Sequence, residues 1–447
     1  FGTDGVRGIA NDSLTPELAY HLGRAAAYIF GQNKEHPTFL IGRDTRRSGT
    51  MLADILAAGI ASAGGDCYMV GVIPTPAIAY LTRTHHMDAG VMISASHNPF
   101  EYNGIKFFDG FGYKLPDETE DKIEECMLKD ERAALQSRPT GAAIGTISAW
   151  TDLQQEYADF ICKSTDIDLS GLKVVHDGAN GSASVLGPEI LKRLGAEVIA
   201  IHHEPNGVNI NEKCGSTHLE SLKETVLKYG ADVGIANDGD ADRCLAVDEK
   251  GQEMDGDQIM LLCAMKLKAE GRLKQDTVVG TVMSNIGFHK ALKEMGCKTE
   301  ITAVGDRYVL EKMRKDGYSL GGEQSGHIIF SKYASTGDGI LTSLKMMEVM
   351  LAREKPLSEL AAPIVIYPQV LENVRVTDKT IVMSAPIIQQ AIAKAEAQLA
   401  GNGRILVRPS GTEPLVRVMS EAADTETCRA CNQIVIDAID ACGFRAG

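Results

Sequence analysis

Short apolar runs alternate with amphipathic helical segments along most of this chain. The first series has predicted strands at 38–42, 67–70 and 89–93, with predicted helices at 51–63 and 77–84 between them. A β-α-β-α-β order builds a sheet with parallel strands and right-handed crossovers. The same alternation recurs twice, over about 172–247 and 277–330. We therefore predict an α/β protein with three similar β-α-β mixed-sheet domains.

The end of the chain has a different pattern. Three prolines between 356 and 368 mark a boundary, and the segments after it predict a C-terminal α+β domain with strands at 372–376, 404–407 and 415–419. A length of 447 residues suits about three or four domains. We expect four, around a central cleft, with boundaries at 1–150, 151–252, 253–366 and 367–447. Residues 1–8, F-G-T-D-G-V-R-G, hold three glycines and predict a loop.

Composition limits the partners of the protein. The net charge of −15 argues against nucleic acid, because binding to its backbone needs a basic face. No apolar run approaches the ~20 residues of a membrane span, and no signal-peptide core is present. The ten cysteines are scattered apart from Cys428 and Cys431, which fall in a predicted helix and are interpreted as structural. Dispersed thiols suit a reducing compartment, so we expect a cytoplasmic protein.

The segment S-A-S-H-N-P, residues 94–99, follows the predicted strand at 89–93. Pro99 cannot donate a hydrogen bond to a sheet, so Ser96 should lie on a constrained loop at the carboxyl end of that strand. In open α/β sheets ligands bind at this edge. A hydroxyl beside an imidazole, here Ser96 beside His97, can act as a nucleophile. The alternative is a polar turn.

Three carboxylates follow another predicted strand, as Asp238, Asp240 and Asp242 alternate with small residues. They repel one another unless a cation joins them, and oxygen ligands suit Mg²⁺ or Ca²⁺. An EF-hand needs glycine where this sequence has Arg243, so that type of loop is excluded. We predict a Mg²⁺ site, with Arg243 placed to clamp a phosphoryl oxygen. The alternative is a solvated acidic turn.

Three weaker signals accompany these two. Residues 408–413 offer an arginine, two hydroxyls and a glycine, which suits a phosphate cradle with Arg417 one strand away, or else a polar hairpin loop. Glu323 and Ser325 are bracketed by glycines and fit sugar hydroxyls. Lys106 can serve as an acid, a base or a counter-charge to phosphate, or can be a solvated lysine. Arg7, alone on its loop, is interpreted as solvated.

In this order and spacing, the clusters resemble the α-D-phosphohexomutase superfamily along essentially the whole chain. The resemblance is carried by T-D-G-V-R-G at 3–8, S-A-S-H-N-P, D-G-D-A-D-R at 238–243, G-E-Q-S-G-H at 322–327 and R-P-S-G-T-E-P at 408–414. The F-G-T-D-G-V-R-G start and Gln324 make the chain most similar to the bacterial phosphoglucosamine mutases.

The resemblance implies a role for each cluster. Ser96 would be a phosphoserine that also binds Mg²⁺, together with Asp238, Asp240 and Asp242. The sugar hydroxyls would be held by Glu323 and Ser325. The phosphate that is not reacting would be held by Arg408, Ser410, Gly411, Thr412 and Arg417. The transfer site would be lined by Arg7, His97, Lys106 and Arg243, with both His97 and Lys106 open as the proton carrier.

The activity implied is the interconversion of glucosamine 6-phosphate and glucosamine 1-phosphate, on the way to UDP-N-acetylglucosamine and the cell wall. Phospho-Ser96 would give its phosphoryl group to the sugar, and a hexose 1,6-bisphosphate would be the intermediate or activator. A mobile fourth domain would shield it, and a homodimer would form through the first domain.

Three alternatives remain from the residues. The nearest is a phosphomannomutase or phosphoglucomutase of the same superfamily. A Mg²⁺-dependent sugar-phosphate phosphatase would leave the separate phosphate cradle without a use. A binding module without chemistry would need neither Ser96 nor the three aspartates.

Overall fold

The computed structural model describes Gly2 and residues 5–129, 138–410 and 413–446. The chain divides into two compact units, the first made of Phe1–Met283 and Cys297–Pro363 and the second of Ser284–Gly296 and Ile364–Gly447. Three sheets lie in the first unit and one in the second. The predicted fold class, three α/β domains followed by an α+β domain, is confirmed.

The first sheet has six strands, in the order Val6–Ile9, Tyr102–Asp109, Ala89–Ile93, Thr38–Arg43, Asp66–Val72 and Ile147–Ala149. The three predicted strands, Ala89–Ile93, Thr38–Arg43 and Asp66–Val72, are parallel, as predicted, and the edge strand Ile147–Ala149, which was not predicted, is parallel to them. Strands Tyr102–Asp109 and Val6–Ile9 are antiparallel to their neighbours. The prediction of a loop over 1–8 is thus wrong for residues 6–8. Their strand exists because it pairs with Tyr102–Asp109, a tertiary interaction that local glycine content does not reveal.

Glycine is nevertheless required just before this strand. Gly5 has φ +78°, and a Cβ there would lie 2.3 Å from the carbonyl oxygen of Ile105. Only a residue without a side chain allows the two backbones to approach this closely. The motif glycine therefore serves packing of the edge strand.

The second sheet has five strands, in the order Glu253–Met254, Cys244–Asp248, Val233–Asn237, Lys173–Asp177 and Glu197–Ile201. The third has four, in the order Lys298–Thr302, Thr277–Thr281, Leu320–Gly322 and Ile328–Phe330. Both sheets mix parallel and antiparallel pairs. In the second sheet Cys244–Asp248 pairs antiparallel to Val233–Asn237, and in the third Ile328–Phe330 pairs antiparallel to Leu320–Gly322; each of these strands follows a loop that carries predicted site residues.

Helices cover the sheets of the first unit, and most agree with the sequence periodicity. Thr15 caps helix Pro16–Phe30 through Leu18 N, and Pro16 occupies the first turn of this helix, where proline is favoured. The stretch 116–138, rich in charge and alanine, contains helix Asp117–Lys129, and residues 130–137 lie outside the described part of the chain. Helix Glu220–Tyr229 was not predicted. The remaining α-helices of this unit are Arg47–Ser62, Thr75–Thr84, Leu153–Lys163, Ala183–Arg193, Gly256–Ala269, Asp306–Asp316, Gly339–Arg353 and Leu357–Ala361.

The second unit packs helices on a three-stranded antiparallel sheet ordered Gln369–Arg375, Leu415–Glu421 and Arg404–Pro409. Its helices are Ile286–Glu294, Lys379–Ser384, Pro386–Leu399 and Thr425–Ala441. Cys428 and Cys431 are free thiols buried in its core, as expected of structural cysteines. Across the residues that the structure describes, none of the helices combines the length and apolarity that crossing a membrane demands.

Candidate active site

Ser96 lies just beyond the carboxyl end of strand Ala89–Ile93, as the sequence predicts. It is 2% exposed, and its φ of +53° is in the left-handed region. A residue with a Cβ rarely adopts this conformation without support from its surroundings. Part of the support is local, because the Ser96 N–H donates to Ser94 Oγ at 2.9 Å.

Most of the support comes from Arg46, whose guanidinium is fully buried against the Ser96 loop. Its Nη2 donates to the carbonyl oxygens of Ser96 at 2.9 Å and Asn98 at 2.8 Å, and its Nη1 donates to those of Tyr102 at 3.0 Å and Pro99. One planar, permanently charged group thus fixes four carbonyl groups of the loop. Sequence reasoning missed Arg46.

Asp44 holds the arginine in place. Its Oδ2 lies 2.8 Å from Arg46 Nε and accepts the Ser94 hydroxyl at 2.7 Å. Ser94 in turn accepts the N–H of Ser96, so a continuous hydrogen-bonded chain links Asp44 to Ser96. Asn211, on a loop beside the second sheet, adds bonds from Nδ2 to the carbonyl oxygens of Ser96 at 2.9 Å and Asn98 at 3.1 Å.

The three predicted metal ligands lie on the turn between strands Val233–Asn237 and Cys244–Asp248, which pair antiparallel. Asp238, Asp240 and Asp242 are all buried, and one potential ligand atom from each lies within 4.8 Å of the others. Burial raises the pKa of Asp238 well above its usual value, and the charges of Asp242 and Asp240 raise it further. The solvated-turn alternative is therefore wrong.

The residues present fit a hard cation. Asp242 Oδ1 is buried and has no hydrogen-bond partner among the described residues. Ser96 Oγ donates to Asp238 Oδ2 at 2.6 Å, so the predicted nucleophile touches the predicted metal site directly. Oxygen donors from carboxylates and a serine suit Mg²⁺, which leaves positions for phosphate oxygens.

Lys106 and His97 flank this centre. Lys106 is 2% exposed and its Nζ lies 3.0 Å from Asp240 Oδ2, so it is not a solvated lysine. His97 Nδ1 lies 3.4 Å from Ser96 Oγ. Burial lowers the pKa of His97 to about 4, and the charges of Arg243 and Arg7 contribute, so its imidazole is neutral near pH 7.

A cavity of about 550 Å³ opens beside Ser96. Its lining brings together five of the predicted site residues: Arg7, Ser96, Asp242, Arg243 and Glu323. The Nε of Arg243 is buried without a hydrogen-bond partner in the described part of the chain. Although burial opposes it, the charges of Asp238, Asp242 and Glu323 raise the pKa of Arg243, which stays a cation.

The sugar loop reaches the same cavity through Glu323, whose Oε1 accepts the N–H of Gly305 at 3.0 Å. Ser325 Oγ is buried with no hydrogen-bond partner among the described residues. Gln324 is turned away, because its Nε2 donates to Asp255 at the start of helix Gly256–Ala269. Gln324 therefore packs against the scaffold.

Several lining residues were not predicted from the sequence: Lys114, His327, Gly305–Tyr308 and the acidic residues of helix Asp117–Lys129. Two signals could have found some of them. His327 closes the G-E-Q-S-G-H motif, and residues 305–308 follow the carboxyl end of the strand predicted at 298–303. His327 Nε2 accepts the N–H of Gly337 at 2.9 Å, and its Nδ1 lies 3.5 Å from Asp242 Oδ2.

The predicted phosphate cradle lies in the second unit. Arg408 and Arg417 are directly opposite on strands Arg404–Pro409 and Leu415–Glu421. Burial lowers the pKa of Arg408, and the charge of Arg417 adds to this. Like charges facing each other are destabilising, so the pair suits an anion placed between them.

The loop that joins these strands is also polar. Ser410 is buried, and its carbonyl oxygen accepts from Lys379 Nζ at 2.6 Å, which adds a cation that the sequence reasoning did not include. Gly411 and Thr412, the two other predicted cradle residues, lie outside the described residues.

Comparison with protein families gives four matches that together span most of the chain. All are phosphoglucomutase/phosphomannomutase models: alpha/beta/alpha domain I at residues 1–134, domain II at 155–251, domain III at 255–366 and the C-terminal domain at 371–438. Each of the three α/β sheets described above falls within one of the first three models, apart from the edge strand Ile147–Ala149 and residues 253–254.

Individual proteins agree with this result. A phosphoglucosamine mutase from Desulforamulus reducens is 56% identical over 95% of both chains, and one from Geobacillus thermodenitrificans is 53% identical over 98% of both. Among solved structures, a phosphoglucomutase/phosphomannomutase family protein from Burkholderia thailandensis has a TM-score of 0.81 at 24% identity, covering 99% of this chain and 97% of its own. An Aspergillus fumigatus N-acetylphosphoglucosamine mutase, solved with GlcNAc-6P and magnesium, has a TM-score of 0.66 at 18% identity, covering 99% and 96%.

Proposed function

Because the chain belongs to the phosphoglucomutase/phosphomannomutase family, and within it to the phosphoglucosamine mutases, we propose that it interconverts glucosamine 6-phosphate and glucosamine 1-phosphate. The observation that carries the proposal is the contact of Ser96 Oγ with Asp238 at 2.6 Å, inside a buried cluster of three aspartates at the edge of a cavity. The relatives named phosphoglucosamine mutase, at 52–56% identity, support the choice of sugar.

The reaction consists of two phosphoryl transfers. In the first, the bond from Ser96 Oγ to phosphorus breaks, a bond from O1 of glucosamine 6-phosphate to phosphorus forms, and the proton of O1 passes to a base. The 1,6-bisphosphate then turns over. In the second, Ser96 Oγ, which took up a proton when its phosphoryl group left, gives up that proton and forms a bond to phosphorus. The bond from O6 to phosphorus breaks and O6 takes up a proton, which leaves glucosamine 1-phosphate.

The proton has two candidate carriers. The neutral imidazole of His97 lies 3.4 Å from Ser96 Oγ, and Lys106 lies against Asp240. Both side chains belong to the group of residues around Ser96 and the three aspartates. If His97 carries the proton, the His97 variant should lose the pH dependence of turnover; if Lys106 carries it, the Lys106 variant should. His97→Asn and Lys106→Gln, compared over pH 3–9, decide between them, because the pKa of His97 is about 4.

The metal site is proposed for Mg²⁺. Asp238, Asp240 and Asp242 would hold it, with Ser96 as a further ligand. When bound, Mg²⁺ supplies positive charge that stabilises the transferring phosphoryl group. The side chains of Arg243 and Arg7 lie on the same cavity wall as Ser96 and would bind the remaining phosphoryl oxygens.

Binding residues hold the rest of the substrate. We assign the sugar hydroxyls to Glu323, which lines the cavity, and to Ser325, whose hydroxyl lacks a partner among the described residues. We assign the phosphate that is not reacting to the cradle, which comprises Arg408, Ser410, Gly411, Thr412 and Arg417. A separate clamp for this phosphate keeps the sugar oriented while the other end reacts.

Organisation and location complete the proposal. We propose domain boundaries at 1–150, 151–252, 253–366 and 367–447, which the four family models support. A homodimer through the first domain is expected from the family, and light scattering of the purified protein measures its mass. Ten free thiols and a sugar-phosphate substrate support a cytoplasmic enzyme that uses a hexose 1,6-bisphosphate as activator.

The test is Ser96→Ala, with the exposed Ser170→Ala as control. Turnover of glucosamine 6-phosphate is measured with Mg²⁺ and a trace of glucose 1,6-bisphosphate, and mannose and glucose phosphates and free phosphate are followed in parallel. We expect S96A to lose mutase turnover and S170A to keep it, with no free phosphate released. Near wild-type turnover by S96A contradicts the scheme. Preference for mannose or glucose phosphates would change the substrate but keep the mechanism, and stoichiometric free phosphate would indicate a phosphatase.

A further inference from the structure

The cavity beside Ser96 carries more negative than positive side chains. Eight carboxylates line it, against four arginine and lysine side chains. A sugar phosphate is an anion, so most of these carboxylates need an explanation other than phosphate binding. Asp242 belongs to the metal site and Glu323 to the sugar loop, whereas Asp306 pairs with Lys114 at 2.7 Å.

Four of the remaining carboxylates lie on one helix, Asp117–Lys129. Asp117, Glu120, Asp121 and Glu124 occupy positions i, i+3, i+4 and i+7, so they share one side of the helix, and all four line the cavity. We call these four residues the acidic face. A row of acidic residues on a helix is commonly a solvated surface. Whether this one binds a ligand depends on the surroundings of Glu120.

Glu120 is 9% exposed, unlike the other members of the acidic face. Its carboxylate has no hydrogen bond or ion pair with any residue that the structure describes. Two of the cations whose charges act on Glu120 are already engaged: Arg307 pairs with Asp117 and with Glu311 at 2.9 Å, and Lys114 pairs with Asp306. Burial raises the pKa of Glu120 to about 7, although the charge of Arg307 opposes this.

A carboxylate that is largely buried and has no hydrogen bond or ion pair of its own is costly to keep ionised, and this agrees with the raised pKa of Glu120. A ligand that brings N–H donors and a positive charge into the cavity would remove that cost. Two cations of the cavity lining, Arg7 and Arg243, act on His97, the neighbour of Ser96, whereas the cations that act on Glu120 include Arg307 and Lys114. The cavity is therefore cationic beside the serine and anionic along the helix, which matches a molecule with a phosphate and an amine.

We infer that Glu120 binds the ammonium group of the amino-sugar phosphate, and that the acidic face thereby selects glucosamine phosphates over sugars with a neutral group at C2. This inference rests on the proposed function, since it concerns the substrate of that same site. An ammonium group offers three N–H donors and a charge, whereas the hydroxyl of glucose or the acetamide of N-acetylglucosamine carries no charge at the same position.

The test compares Glu120→Gln with wild type on glucosamine 6-phosphate, glucose 6-phosphate and N-acetylglucosamine 6-phosphate. Glu118→Gln is the matched control, because Glu118 is on the same helix, is 82% exposed and pairs only with Lys122 among the residues described. We expect E120Q to lower kcat/KM for glucosamine 6-phosphate about tenfold or more, which is the scale of one charged hydrogen bond, and to leave the two neutral sugars unchanged. E118Q should change none of the three.

A second variant separates recognition from folding. Glu120→Asp keeps the charge and should keep most of the preference for the amino sugar, while E120Q should unfold at a temperature no lower than wild type because it removes a buried charge. Equal losses on all three sugars in E120Q, or an unchanged ratio between them, would overturn the inference.

Calorimetric binding of glucosamine 6-phosphate and glucose 6-phosphate distinguishes this failure from failure of the proposed function. If the wild type turns over glucosamine 6-phosphate and E120Q binds both sugars as tightly as the wild type does, the proposed function stands and the role of Glu120 is refuted. If the wild-type protein does not turn over glucosamine 6-phosphate, the proposed reaction is refuted. If the wild type nevertheless binds this amino sugar more tightly than glucose 6-phosphate, and E120Q loses that difference, the proposed role of Glu120 is supported.

Discussion

Replacing Arg46 by lysine tests whether the conformation of the Ser96 loop is imposed by its scaffold. Arg46 donates to four carbonyl groups and pairs with Asp44, all without exposure to water. A lysine keeps the charge beside Asp44, but its single ammonium cannot reach four carbonyl oxygens that surround a planar fork. We therefore expect Arg46→Lys to leave three of the four carbonyl groups without their donor.

The magnitude follows from these contacts. At about 1 kcal/mol for each hydrogen bond, R46K should lower the free energy of unfolding of the first domain by about 3 kcal/mol. For a unit of about 150 residues this corresponds to a fall in Tm of about 6–12 °C. Arg46→Met should cost more, because it also leaves Asp44 as a buried charge without a partner, at about 3–5 kcal/mol.

Thermal unfolding followed by circular dichroism measures the stability, and mutase turnover at 20 °C measures the effect on Ser96 while the protein is folded. We expect kcat to fall about a hundredfold, the scale of a 1 Å displacement of a reacting group. Arg193→Lys is the control: its pair with Asp159 is partly exposed, so it should cost less than about 1 kcal/mol. An R46K protein with the Tm and kcat of wild type would refute the idea that Arg46 fixes the loop.

Three further outcomes are expected. Asp242→Asn should raise the Mg²⁺ concentration needed for half-maximal turnover, measured by titration after chelation, and an unchanged requirement would contradict its role as a ligand. Burial raises the pKa of Asp338 to about 6, so the folded protein binds the proton of this group more tightly than the unfolded chain does. The protonated group therefore contributes about 3 kcal/mol of stability below about pH 4, and this contribution is lost as the pH rises through 6. Asp338→Asn should flatten that part of the profile of Tm against pH. A profile parallel to wild type would exclude Asp338 as the cause. Arg417→Met should raise both the Tm, by relieving repulsion with Arg408, and the KM for glucosamine 6-phosphate, and a lower Tm would show that the pair is not strained.

The parts of the site that could be predicted are those whose functional side chains are close together in the sequence. Three aspartates within five positions repel one another in any fold that buries them, so the spacing of Asp238, Asp240 and Asp242 predicts a cation, with a solvated turn as the alternative until their burial is known. Ser96 follows a strand that could be recognised from its apolar run, and the carboxyl-edge rule then locates it. The superfamily predicted from these motifs is confirmed by the family models.

The parts that could not be predicted depend on residues far apart in the chain. Strand Val6–Ile9 overlaps a stretch, residues 1–8, with three glycines, and it forms only because Tyr102–Asp109 lies beside it. Residues 43–47 contain three arginines, and the neighbouring residues do not show which of them is buried. The buried one, Arg46, contacts Ser96, which is 50 residues further along the chain. Glu120 lies among other acidic residues that are more exposed, and only the fold brings it to the cavity that Asp306 and Arg307 also line.

The way Ser96 is held bears on how one serine can serve both ends of a sugar. Its left-handed backbone is fixed from the first sheet by Arg46 and from the loop beside the second sheet by Asn211, and neither contact involves the cavity. The position of the oxygen therefore does not depend on which end of the substrate is present. Phosphoryl transfer gains mainly from positioning and charge, so a fixed oxygen beside the three buried aspartates needs no adjustment between the two transfers. It follows that the part that must change between them is the sugar, and that selectivity must come from residues such as Glu323 and Glu120 that line the cavity around it.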